Sequence, residues 1–251
     1  MFPIRDENPT LRLPLATATL IALNVLAWLF VQGAGQGLPL AESLCSYGLI
    51  PGELFGGMAG ANISLGEGLV CQLDSTGNPV SLVTSMFMHG GWFHIIGNML
   101  FLWVFGDNVE DAMGRVRFVV FYLLTGLGAA GAQIATDIDS AIPMVGASGA
   151  IGGVMGAYAF LYPKARVHVL VVLVFYVTTV SVPALYMLGY WFLMQLVSGV
   201  GSLGASGGGV AFWAHVGGFL AGIALVHPFK RSDFVAARRV LPRRVARRDW
   251  G

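Results

Sequence analysis

Seven stretches of this chain contain no Asp, Glu, Lys or Arg: residues 14–33, 82–105, 118–135, 148–162, 167–182, 184–197 and 209–226. Nothing else in the sequence limits the possible folds so strongly. A bilayer core of ~30 Å takes ~20 apolar residues as helix. Charged residues make up 11% of the 251 residues against 56% hydrophobic, where a soluble domain carries about 25% charged. Mean hydropathy is +0.73. These values exclude a disordered chain and leave too little charge to cover a water-soluble globule. The runs are continuous rather than alternating, which argues against a membrane β-barrel. The expected class is an all-α polytopic membrane protein.

Lysine and arginine set the parity, because cytoplasmic loops collect them. Arg5 and Arg12 precede the first stretch. Arg115 and Arg117 lie between the second and third, and Lys164 and Arg166 follow the fourth. The other eight of the 14 lie in residues 229–251. Six crossings place all of them on one side. Residues 167–182 then do not cross. Their many β-branched residues favour an extended or interfacial course. The expected organisation is a cytoplasmic N-terminus (1–13), a six-span membrane domain (14–228) with an outer loop (34–81), and a basic cytoplasmic tail (229–251). The first stretch reads as a retained helix rather than a signal peptide, since its apolar region is long and Asp6 and Glu7 dilute the positive flank. The tail suits topological anchoring and anionic lipid. Its arginine run, residues 238–248, has no aromatic or fold support for nucleic-acid binding.

Polar groups inside a bilayer are costly and mark functional sites. Those singled out are His89, His94, Asn98, Ser148 and His215. Ser148, in Gly146-Ala147-Ser148-Gly149, opens a stretch after an outer loop. A helix N-terminus there offers unpaired N–H groups to a developing oxyanion. Serine in a membrane helix also serves as a small packing residue. The segment is not the G-x-S-x-G elbow, because position 150 is Ala. Gly218 and Gly222 share the helix face of His215, and Gly149 begins a similar small-residue face after Ser148. Two such faces in contact bring a serine and an imidazole together, a dyad without a carboxylate. His94 and Asn98 share one face by their i,i+4 spacing and offer hydrogen-bond donors for an oxyanion. The alternative is that they simply bond across helices. On a regular helix His89 falls about 140° from His94, which argues against a zinc pair. No metal and no cofactor are expected. Cys45 and Cys71 both fall in the outer loop, as two unrelated thiols or as a disulfide.

Taken together, His89-x4-His94-x3-Asn98, Gly146-Ala147-Ser148-Gly149 and Ala214-His215-x2-Gly218-x3-Gly222 resemble the rhomboid intramembrane serine proteases in their compact six-helix bacterial form. Similar too are residues 105–111 and 143–145. The resemblance implies a six-transmembrane-helix bundle in a bacterial inner membrane, both termini cytoplasmic and the site open to the outer side. It implies Ser148 as nucleophile, His215 as general base and acid, and Asn98, His94 and the Ser148 N–H as oxyanion donors. His89 would stand at the site mouth. Implied partners are the lipid bilayer and single-span membrane protein substrates cleaved in or near their membrane segment; oligomeric state has no signal in the sequence. The chain departs from some members in having Gly152 where an aromatic residue packs on the catalytic histidine, and in lacking an arginine in the outer loop. The competing reading is an inactive rhomboid-like protein that binds client transmembrane helices. Such proteins have lost the serine or the histidine, and both are present here.

Overall fold

The computed structural model describes residues 2–55, 57–58, 60–66, 69–73, 77–173, 176–203 and 209–239. The tail arginines Arg243, Arg244, Arg247 and Arg248 lie outside the described residues. Strand β1 (Phe2–Asp6) leads into α1 (Leu15–Leu26), which ends in a wider π turn at Ala27–Val31. The loop that follows holds α2 (Gly37–Tyr47), α3 (Pro51–Leu54), a hairpin of β2 (Asn62–Gly66) and β3 (Leu69–Gln72), and α4 (Ser81–Thr84). Long helices α5 (Trp92–Met113) and α6 (Arg115–Ile134) follow, then α7 (Ser148–Leu161). A second hairpin, β4 (Arg166–Leu173) and β5 (Tyr176–Pro183), precedes α8 (Ala184–Gly201), α9 (Phe212–Phe229) and α10 (Ser232–Arg239).

Among the described residues α6, α8 and α9 are long and apolar enough to cross a membrane. Leu15–Val31 and α7 are apolar but shorter. Helix α5 is the longest at 22 residues, and its last turns carry Asp107, Glu110 and Asp111. Of the six spans expected, three are met by single helices of that length and apolarity.

The second apolar stretch, expected as one helix over 82–105, is broken. Helix α4 and a 3-10 turn (Ser85–Phe87) occupy its start, and α5 begins only at Trp92 after Gly90-Gly91. Gln32 explains the break. Its Oε1 accepts the His89 N–H at 2.7 Å and its Nε2 donates to the His89 carbonyl at 2.8 Å. Both backbone groups that a helix would bond internally are thereby satisfied from outside. At its other end α5 runs on to Met113, eight residues past the expected stop. Glu110 there serves a different helix. Its carboxylate accepts the N–H groups of Ala16 (3.0 Å) and Thr17 (2.7 Å) and the Thr17 hydroxyl (2.8 Å). That caps α1, which has no side-chain cap of its own.

Residues 167–173 and 176–182 pair as the antiparallel strands β4 and β5, with β1 pairing antiparallel on β4 through Phe2–Leu170 and Asp6–Val167. The sheet sits at the end of the bundle where the described basic residues gather. The Glu7 N–H donates to the Arg166 carbonyl, Arg12 pairs with Asp111 at 3.3 Å, and the Arg231 N–H donates to the Ala112 carbonyl. At the opposite end Cys45 of α2 and Cys71 of β3 are joined in a disulfide, Cα atoms 5.7 Å apart. Leu49 forms an antiparallel bridge with Met144, just before α7.

The centre is α7. Phe105 of α5, Phe118, Phe121 and Tyr122 of α6, and Val154 and Tyr158 of α7 are all fully buried. On the α9 side the contact is backbone to backbone. A Cβ on Gly218 would overlap the Gly149 carbonyl, and one on Gly222 the Gly153 carbonyl. Glycine is required at this approach, since van der Waals packing rather than water release holds membrane helices together.

Candidate active site

Ser148 is the first residue of α7, and the turn before it is pinned on both sides. The Leu49–Met144 bridge anchors it (3.0 and 2.8 Å), and the Gly146 N–H donates to the Ser85 carbonyl at 2.9 Å. Gly146 has φ +124°, and a Cβ there would lie 2.6 Å from His94 Nε2. Only glycine serves at this point, for its conformation and because the imidazole fills the space.

Across the Gly149–Gly218 contact stands His215, in the first turn of α9. Its Nε2 is 2.8 Å from Ser148 Oγ. Its Nδ1 is 2.7 Å from Oε1 of Gln195, on α8. An amide oxygen can only accept, so Nδ1 carries the proton and Nε2 presents its lone pair to the serine hydroxyl. Ser148 and His215 are both half-buried, so the pair is reachable rather than sealed in the core.

His94 lies in the first turn of α5, with its Nδ1 accepting the Gly90 N–H at 3.3 Å. The proton of the neutral ring then sits on Nε2, the nitrogen directed at Gly146. Asn98, one turn further along α5, is buried, and its Nδ2 has no hydrogen-bond partner. A buried amide donor without an acceptor is costly and suits an oxygen that appears only in a reaction. The N–H groups of the first turn of α7 have no intrahelical acceptor. These donors belong to two helices, and that of His94 is directed at Gly146, two residues before Ser148. A cavity of about 20 Å³, lined by Ser85, Met86, Gly126, Gly146 and Ser148 among others, adjoins Ser148; that is room for roughly one water.

His89 is fully buried, its ring edge-on to His94 with centroids 5.1 Å apart. The expectation that the two rings diverge assumed one continuous helix, and the break at Gly90-Gly91 overturns it. No group of three or more His, Cys, Asp or Glu placed to hold a metal occurs among the described residues.

Two side chains at the site were not singled out from the sequence. One is Gln195. The other is Trp191, whose ring lies 5.7 Å from that of His215 at an inclination of 38°. Gln195 was detectable, since it is a polar residue in an uncharged apolar stretch, as Asn98 is. Trp191 gave no signal beyond an ordinary lipid-facing or core aromatic.

Several known proteins are similar to this chain. Rhomboid protein 1, mitochondrial, of Saccharomyces cerevisiae is 24% identical over 231 residues, which cover 84% of this chain and 62% of that protein. Rhomboid protease GluP of Bacillus subtilis is 32% identical over 59% of this chain and 26% of its own length. RHOMBOID-like protein 5 of Arabidopsis thaliana is 36% identical over 30% of this chain and 25% of its own. The chain thus spans less than two thirds of the length of each of these three relatives. The Rhomboid domain model matches residues 76–232, which include His89, His94, Asn98, Ser148, Trp191, Gln195 and His215. With more than half of its length matched by that model, the chain belongs to the Rhomboid family of membrane-embedded proteins.

Proposed function

We propose that this chain is an intramembrane serine endopeptidase that cleaves single-span membrane proteins in or near their membrane segment. The observation that carries the reading is the 2.8 Å approach of Ser148 Oγ to His215 Nε2; a buried Asn98 amide with no acceptor adds to it. Two relatives with names of this kind, one of them called a protease, support the same class.

Charge placement supports a six-crossing membrane arrangement. Six crossings, by Leu15–Val31, α5, α6, α7, α8 and α9, put β1, the β4–β5 hairpin and the described basic residues on the cytoplasmic side. The disulfide-bonded loop and Ser148 then face outward, in an oxidising compartment such as that outside a bacterial inner membrane. Residues 1–13 and 229–251 flank a membrane domain of 14–228. Helix α7 has 14 residues, about 21 Å of rise against a ~30 Å hydrocarbon core. With its C-terminal end at the cytoplasmic boundary, Ser148 lies about 9 Å below the outer one. Water reaches it from the outer side, and the substrate arrives from the lipid.

A transmembrane helix hides its carbonyls in its own hydrogen bonds, so a suitable substrate unwinds near the outer face, at Gly, Pro or polar residues. Ser148 Oγ attacks the exposed carbonyl carbon while its proton passes to His215 Nε2. The carbonyl oxygen gains negative charge against Asn98 Nδ2, His94 Nε2–H and the Ser148 N–H. His215 then protonates the leaving amine, and the peptide C–N bond breaks to give an acyl-serine. A water enters and attacks the acyl carbon as its proton passes to Nε2; the bond to Ser148 Oγ then breaks, Oγ recovers the proton from His215, and the acid leaves. Each oxyanion donor contributes about 2.7–4 kcal/mol to the transition state. No step uses a metal or cofactor.

The test is cleavage of a model single-span substrate by the purified protein in liposomes. Ser148→Ala and His215→Ala should each abolish cleavage while retaining the folded helical spectrum. Unimpaired cleavage by either variant would exclude the dyad. Substrate binding with no cleavage by the unaltered protein would favour the client-binding alternative.

A further inference from the structure

We propose that Gln195 is the positioning residue of the Ser148–His215 pair, with Trp191 completing the holder from one turn earlier on α8; this rests on the hydrolytic reading above. For His215 to act as a base, its free lone pair must sit on Nε2. The tautomer is set by whatever accepts from the other nitrogen. Among the described residues the polar partners of the ring are Ser148 at Nε2 and Gln195 at Nδ1, the latter at 2.7 Å. In water-soluble hydrolases a carboxylate takes that place. Within an apolar span a carboxylate carries a heavy desolvation cost, whereas a neutral amide oxygen carries a much smaller one. Gln195 supplies the orienting half of the carboxylate's role. When the ring gains its second proton, the same oxygen accepts a stronger, charge-assisted bond.

Trp191 fixes the plane of the ring. Residues 191 and 195 are i and i+4 on α8, so they project from one face. Gly152 on α7 leaves open the place beside the His215 backbone: a Cβ there would lie 3.1 Å from the His215 carbonyl oxygen and 3.8 Å from the Trp191 ring. The indole reaches this gap from the facing helix and lies 5.7 Å from the imidazole. An aromatic brace missing from α7 is thus supplied by α8. One helix then grips both the edge and the face of the imidazole.

The experiment compares the unaltered protein with Gln195→Met, which keeps length and loses the acceptor, and Gln195→Glu, which keeps an acceptor oxygen. Steady-state cleavage in liposomes is measured together with the rate of Ser148 labelling by a fluorophosphonate. Gln195→Met should lose about 100-fold in kcat and a similar factor in labelling rate, with KM within about twofold. Gln195→Glu should stay within about tenfold of the unaltered rate in both assays. Labelling of Gln195→Met at the unaltered rate overturns the proposal, as does equal impairment of the two variants. Nitrogen NMR of the isotope-labelled, unaltered protein gives a reading free of any folding defect. Protonation of neutral His215 at Nδ1 is expected, and protonation at Nε2 overturns the assignment. If the unaltered protein neither cleaves nor labels, it is the hydrolytic reading that fails.

Discussion

A single methyl group at residue 218 should separate the nucleophile from its base. Gly218 lies one turn after His215 on α9, and its Cα faces the carbonyl of Gly149, the residue after Ser148. In Gly218→Ala the new Cβ would overlap that backbone oxygen and also lie 3.4 Å from Ala129 Cβ. Neither obstacle can rotate away, so α9 must retreat from α7. Overpacking of this kind costs about 1–3 kcal/mol, which a folded bundle can absorb. The site has less tolerance. The Ser148–His215 bond is 2.8 Å long, which leaves about 0.7 Å before hydrogen bonding is lost near 3.5 Å. The overlap exceeds that slack. A misplacement of roughly 1 Å lowers turnover by about 100-fold. Gly131→Ala is the control, because nothing lies within 4 Å of its Cβ position, and it should cleave at the unaltered rate. The assay is kcat for a single-span substrate, with thermal unfolding measured alongside. A folded Gly218→Ala protein with unaltered kcat would refute the claim that this glycine contact sets the dyad distance.

Three other changes have defined outcomes. Asn98→Ala should reduce kcat by about 10²–10³-fold with little change in KM, if its orphaned amide meets the oxyanion; an unaltered kcat would remove it from the hole. Cys45→Ser should lower stability by about 3 kcal/mol in the chain-entropy model, and added reductant should have the same effect on the unaltered protein. Equal denaturation midpoints with and without reductant would contradict this. Glu110→Ala strands the buried Ala16 and Thr17 N–H groups and should cost about 2–3 kcal/mol. The loss would be seen as fraying of α1 by hydrogen exchange, and unchanged protection there would count against the cap.

Much of this arrangement is legible in residue order alone. Six of the seven uncharged stretches hold helices, the placement of lysine and arginine suggests a common side for the ends, and polar residues in apolar surroundings single out Ser148, His215 and Asn98 as candidates, the first two of which the fold brings to 2.8 Å. What is not legible depends on contacts between distant residues. Gly90-Gly91 is a weak break by itself; it becomes a helix start because Gln32, 57 residues earlier, takes both backbone groups of His89. Glu110 looks like a loop acid after an apolar run until α1 presents two N–H groups to it. The β-branched run over 167–182 suggests extended chain, but nothing in it names Phe2–Asp6 as the third strand. Gln195 obeys the same rule as Asn98 and was open to the same reading; only its 2.7 Å contact shows which nitrogen it holds.

The central claim is that Ser148 is a nucleophile made so by His215. Its most direct test is the intact mass of the protein after exposure to a fluorophosphonate, with the modified residue located by fragmentation. One phosphonyl group should be found on Ser148 in the unaltered protein and none in His215→Ala. An unmodified Ser148, or equal modification with and without His215, would contradict the account.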